Sequence, residues 1–412
     1  MVEQNGEPER TAGDGMALDG LRVLDLTGLK GHLCGRLLAD MGADVIKIEP
    51  PAGDPARRIG PFVDDRPHRD RSLFFWFYNL NKRSMTLDLE RPEGVAVLRR
   101  LAESADVIIE SFKPGVMERI GLGWDAIHAL NPALILCSIA PFGQSGPYRD
   151  YAADDSVLTA LSGMLYVNGF PGEAPVRPLG LQAYHSASYY AAIAVMCALL
   201  ARDSSGEGQW IDLSMQEATA SAVEHVAAGY FGAGQVEQRR GTLHWSRFFR
   251  VGRCRDGYVM HCTLGDWTSL IEWVNGDGKA QDLASPEWED VDKRRQDAEH
   301  LFDVLDDWVK DYSRDELLER AQLVRLPYAS IRNPEDLFTD EQLLARGYFH
   351  AVEHPELGRT IQYPGAPYLF GATPWRIMRR PPLLGEHTDE ILRGELGISA
   401  AELAALAWEG VI

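Results

Sequence analysis

The chain has 412 residues, 45% hydrophobic and 25% charged, with a formal charge of −20 from 61 acidic and 41 basic side chains. That length accommodates about two domains with buried cores. An acidic surface repels nucleic acid and anionic lipid, so neither a nucleic-acid nor a membrane partner is expected, whereas a local basic pocket for a small anion is compatible with it.

Residues 1–17 are polar and Gly-rich with no apolar core, which predicts a disordered start and a cytoplasmic protein. The run 23–26 followed by glycines reads as a buried strand and turn. Helical spacing follows through Leu33, Leu37, Leu38 and Met41, and 44–49 reads as a second strand. The alternation continues with helix 94–105, strand 106–110, helix 124–130 and strand 134–139. A small-residue helix over 185–202 and a strand over 210–214 come next. Such alternation predicts an α/β fold with a Rossmann-like parallel sheet covered by helices. The apolar stretch 189–200 is too short to span a bilayer. From 229 to 328 the texture changes to a smaller α+β domain, and 329–412 returns to the large domain begun at 18–228.

Cys34, Cys137, Cys197, Cys254 and Cys262 are scattered without a CxxC pair, and the histidines lack ligand spacing, so neither disulfides nor a metal is expected. Gly28, Gly31 and Gly35 lie at a strand-to-helix turn, a place suited either to an anion or to tight helix–strand packing. Arg57, Lys82, Lys113 and Arg119 are basic islands beside strand ends, read as phosphate contacts or as solvated cations. Asp154 and Asp155 precede an apolar run and read as a helix cap or as acids of a site. Tyr184 and His185 stand where the long helix begins. Tyr184, Tyr189, Tyr190, Tyr230, Phe231, Trp245, Phe248 and Phe249 read as core or as contacts for a flat acyl group.

The segments LDGLRVLDLT, LLADMGADVIKIEPPAGDPAR, NLNKRSMTLDLERPEG, ADVIIESFKPGVMERIGLGWDAI, NPALILCSIAPFGQSGPYRD, ALLARDSSGEGQWIDLSMQEA and PPLLGEHTDEIL occur in this order. The chain thereby resembles the family III CoA-transferases, the group of formyl-CoA and carnitine CoA-transferases and α-methylacyl-CoA racemases, from Leu18 to its end. The resemblance implies a Rossmann-like large domain built from both chain ends, a small domain between, and an interlocked homodimer. It implies coenzyme A or acyl-CoA and carboxylic acids as substrates. By position it places Arg57, Lys82, Phe112, Arg119, Gly28 and Lys30 around CoA. This sequence carries Ser111 where relatives often have Asn, and Gly31-His32 where they have Gly-Pro.

The family's nucleophilic Asp precedes the small-residue helix. Counting back from Arg202, Gly206 and Gln209, that column falls on Tyr184, or on His185 with a one-residue slip. The only acid between Gly163 and Arg202 is Glu173. Three functions therefore stand open: a CoA-transferase with altered catalytic residues drawn from Tyr184, His185, Asp154 and Asp155; a racemase, epimerase or lyase working by Cα proton transfer; and a non-catalytic CoA-binding subunit pairing with an active paralogue as a heteromer.

Overall fold

In the computed structural model, which describes residues 15–412, the apolar runs expected as strands of the large domain join one sheet. β1 (Arg22–Leu26), β2 (Asp44–Glu49), β3 (Arg83–Thr86), β4 (Val107–Glu110), β5 (Ile135–Ala140) and β6 (Trp210–Ser214) lie in the order β3-β2-β1-β4-β5-β6. Every pairing is parallel. The chain winds outward from β1 to β3, then crosses back to place β4 on the other side of β1. Loops leaving β1 and β4 therefore diverge, which opens a crevice at their C-terminal ends.

The helices of this part are α1 (His32–Asp40), α2 (Leu73–Asn79), α3 (Pro92–Ala102), α4 (Val116–Arg119), α5 (Trp124–Leu130), α6 (Asp155–Leu161), α7 (Met164–Val167) and α8 (Gln182–Ser205). β3 and α2 are additions to the sequence reading. β3 is polar in composition yet fully buried, because its side chains are met by charge and hydrogen bonds: Arg83 by Asp44 and Glu390, Ser84 by Glu49.

Neighbouring strand residues point to opposite faces, so a sheet covered on both sides needs continuous apolar runs. On one face Val23, Val45, Val107, Ile135 and Cys137 pack against Leu38 and against Ala187, Ala191 and Val195 of α8. On the other, Leu24, Ile46, Ile108 and Leu136 pack against Val97, Leu98 and Leu101, and against Ile391, Leu392 and Leu406 from the C-terminal segment. Each large aliphatic side chain so buried contributes about 1.5–3 kcal/mol.

The buried stripe of α8, Ala183, Ala187, Ala191, Val195 and Ala198, recurs about once per turn and lets the helix lie close to the sheet. At 24 residues α8 is longer than the expected apolar stretch, and by length and composition alone it is long enough to cross a membrane. Its contacts are those of a core helix. It begins at Gln182, so Tyr184 and His185 fall inside its first turn rather than ahead of it.

Two compact units result. The first holds residues 15–164, 179–224 and 345–412, and the second 165–178 and 225–344. The second thus includes a short segment before α8 and extends past the 229–328 read from the sequence. Its antiparallel sheet runs β7 (Phe249–Cys254), β8 (Gly257–Cys262), β9 (Ala329–Ser330), and its own core contains Val259, Leu270, Phe302, Leu305 and Trp308. In the first unit a hairpin of β10 (Phe349–His354) and β11 (Arg359–Pro364) brings Val352 and Tyr363 to a small core with Phe75 and Trp76.

Candidate active site at the head of the long helix

The crevice predicted by the strand order is a cavity of about 830 Å³. Its wall takes Thr27, Gly28 and Lys30 from the loop after β1, Glu49 to Pro51 from β2, Ser111 and Phe112 from the loop after β4, and Tyr184 from α8. The loops after β1 and β4 are tied together where the Gly28 N–H donates to Ser111 Oγ at 2.8 Å. A side chain at Gly31 would come within 2.6 Å of the Thr27 methyl carbon, so packing requires glycine there. A second cavity, about 880 Å³, shares Leu89, Glu90 and Phe112 with the first and adds Arg91, Lys113 and Arg119. The Lys30 ammonium is disfavoured first by burial and then by the Lys113 charge, while Asp154 favours it. These cations therefore sense one another along one wall, an arrangement suited to a polyanion.

Arg57 and Lys82 depart from the expected phosphate contacts. Arg57 is buried, with Nε and Nη2 donating to the Glu49 carboxylate at 2.6 and 2.7 Å and Nη1 donating to Asp70 at 3.0 Å. Its guanidinium also lies 3.8 Å over the Phe75 ring. Lys82 is fully buried and spends its three donors on Asp25, the His32 carbonyl and Asn79. Lys47 bonds the Thr27 carbonyl and pairs with Asp54, which also meets His32 Nε2 at 3.1 Å. Burial would raise the pKa of Asp25 and of Asp54. Lys82, Lys47 and His32 outweigh it for Asp25, as His32 and Lys47 do for Asp54, and both carboxyls are held below the usual range. These charges form a compensated buried network that fixes the loops beneath the cavity. Sequence spacing marked Arg57 and Lys82 as cations at strand ends but carried no sign of the carboxylates that bind them.

At the head of α8 the four candidates part company. Tyr184 is buried and lines the cavity, its phenol pushed up to about 12 by burial and then by Asp154 and Asp155. His185 is half-buried and turns to α2, where Nε2 lies 2.7 Å from the Tyr78 hydroxyl. Burial lowers the imidazole and pushes Tyr78 up to about 12. All three groups are therefore uncharged at neutral pH. Asp154 is exposed and caps α6, accepting from the Val157 N–H at 3.0 Å. Asp155 is buried, and Oδ1 accepts from the Ala183 and Tyr184 N–H groups at 2.9 and 3.3 Å. It caps α8 from outside the helix, because the N-cap Leu181 has no oxygen to do so.

Of the aromatic group singled out in sequence, Tyr184 alone is buried, while Tyr189, Tyr190, Tyr230, Phe231 and Trp245 are exposed and Phe248 and Phe249 half-buried. Ser111 was noted in sequence only as a departure from the family's Asn, and its role as a loop tie was not anticipated; nor was Glu110 as a buried acid beside it. A polar pair closing a strand run is the signal that could have found them.

Residues 18–388 match the sequence model of CoA-transferase family III. The chain belongs to CoA-transferase family III. Among curated relatives it is 34% identical to the succinyl-CoA:(R)-benzylsuccinate CoA-transferase subunit BbsE of Thauera aromatica, over 95% of this chain and 97% of that one. It is 34% identical to the succinyl-CoA–L-malate CoA-transferase alpha subunit of Chloroflexus aurantiacus, over 98% and 96%. It is 31% identical to the human succinyl-CoA:glutarate CoA-transferase, over 99% and 92%. Among solved structures a CAIB/BAIF family protein from Brucella suis superposes with a TM-score of 0.83 at 30% identity, covering 93% of this chain and 100% of that one. The family match thus spans the whole parallel sheet.

Proposed function

We propose that this chain is the CoA-binding subunit of an enzyme that moves CoA between carboxylic acids, with the nucleophilic carboxylate supplied by a partner chain of the same family. The observation that carries this reading is the head of α8. Acyl transfer through an anhydride needs a carboxylate nucleophile. At the head of α8 the cavity is lined by a neutral Tyr184 phenol, and the adjacent Asp155 carboxylate accepts from helix amides. Of the acids lining the rest of the cavity, Glu49 and Asp54 are paired with Arg57 and Lys47, and Asp88 and Glu90 lie on the far wall after β3. Two relatives at 34% identity are themselves named as subunits, which supports a heteromer over the homodimer expected from the resemblance. Lys113 and Arg119 would hold the phosphates of CoA, and Phe112, which lines both cavities, would offer a flat apolar face.

The test is an assay of the purified chain with succinyl-CoA and a panel of dicarboxylic acids, alone and with an Asp-bearing paralogue co-purified from the native host. The chain alone binds CoA by calorimetry and transfers none, and the mixed preparation transfers it. Turnover by a homogeneous preparation of this chain would overturn the subunit reading.

A further inference from the structure

Lys30 differs from two other lysines of the first unit. Lys47 and Lys82 are buried and locked against Asp54 and Asp25. Lys30 is half-buried in the wall of the larger cavity, and among the described residues no carboxylate lies within ion-pair distance of its amine. The same cavity is lined by Leu26, Leu29, Pro50, Pro51, Pro55 and Tyr184, and by the charged Lys47, Glu49, Asp54, Asp88 and Glu90. An amine so placed has no ion-pair partner among the described residues, only the more distant charge of Asp154, and opens onto the space assigned above to the acyl-CoA.

We propose that Lys30 is a self-acylation site, taking the acyl group of a CoA thioester bound in this cavity. The inference rests on the CoA-binding reading above. The uncharged Nζ attacks the thioester carbonyl carbon, a C–N bond forms and the C–S bond breaks. The sulfur leaves with the bonding electron pair and takes up the proton shed by nitrogen, so the products are an Nε-acyl-lysine and free CoA. No oxidant or further reactant enters. Burial and the Lys113 charge both favour the uncharged amine and so enlarge the reactive fraction near neutral pH. Acylation removes one cation from the cavity wall, and a succinyl group puts an anion in its place. The modified chain therefore holds anionic ligands more weakly, which makes the modification a self-limiting brake under high acyl-CoA.

The experiment incubates the full chain with acetyl-CoA or succinyl-CoA and follows each lysine by peptide mass spectrometry, with exposed Lys310 as the internal reference. Calorimetry with CoA is run on the same preparation. Lys30 is expected to acylate at least about tenfold faster than Lys310, as proximity within a bound complex demands. Excess desulfo-CoA is expected to suppress labelling at Lys30 and leave Lys310 unchanged, and Lys30→Arg to lose the Lys30 adduct with Lys310 labelled as before. A preparation that binds CoA yet labels Lys30 no faster than Lys310 overturns self-acylation and leaves the CoA reading standing. A folded preparation that binds no CoA overturns both.

Discussion

Asp155 and Glu110 are both buried carboxylates, and only their neighbours tell their roles apart. Asp155 satisfies two amides at the start of α8 that water cannot reach, and its charge suits the positive end of the helix. Asp155→Ala should cost about 1–3 kcal/mol of stability in urea unfolding, with Asp155→Asn costing less because its oxygen still accepts. Glu110 caps β4 and accepts from the Phe112 N–H at 2.7 Å. Burial raises its pKa to about 7, against the lowering effects of Ser138 and the Phe112 amide. Between about 4.5 and 7 the folded chain keeps a proton that the unfolded chain releases. Stability from this group is therefore full below 4.5, falls as pH rises through that window and is flat above it. Glu110→Gln should match wild type at pH 4 and exceed it by about 3 kcal/mol at pH 8, read from urea midpoints at the two pH values.

Among the elements, α8 ties the site to the core. Its stripe of small residues sets how closely it lies on the sheet, and that spacing sets where Tyr184 meets the cavity. Ala191→Leu should overpack this contact and cost about 1–3 kcal/mol. Cys197→Ser on the exposed side should stay within about 0.5 kcal/mol. A thermal scan of the two variants checks the contrast, since both keep the helix but only one disturbs its packing. The stripe was legible in sequence as a small-residue helix. Its start was not, because no residue at the N-cap position carries a capping side chain and the cap comes from Asp155, 28 residues away.

For the whole molecule, the first unit is sealed by segments from both parts of the chain. Ile391, Leu392, Leu406 and Val411 bury one face of the sheet, and Arg83 on β3 is paired with Asp44 and with Glu390 and Glu395. Deleting residues 389–412 should bare that apolar face and leave Arg83 short of two partners. The expected result is a chain that binds ANS, is cut rapidly by protease and has lost its cooperative unfolding transition.

The parallel α/β class, the order of most strands and helices, and membership of the family were all legible along the chain, since these rest on local periodicity and on ordered segments of near neighbours. The sequence also pointed to Tyr184 or His185 for the family's carboxylate column. It took the folded arrangement to show that Tyr184 faces the cavity while His185 bonds Tyr78, and that Arg57 and Lys82 serve a buried network while Lys30 lines the cavity wall. The reason is physical: a cation at a strand end looks the same in sequence whether a carboxylate reaches it or not. The partners that decide the matter, such as Asp25 for Lys82, lie 57 residues away along the chain.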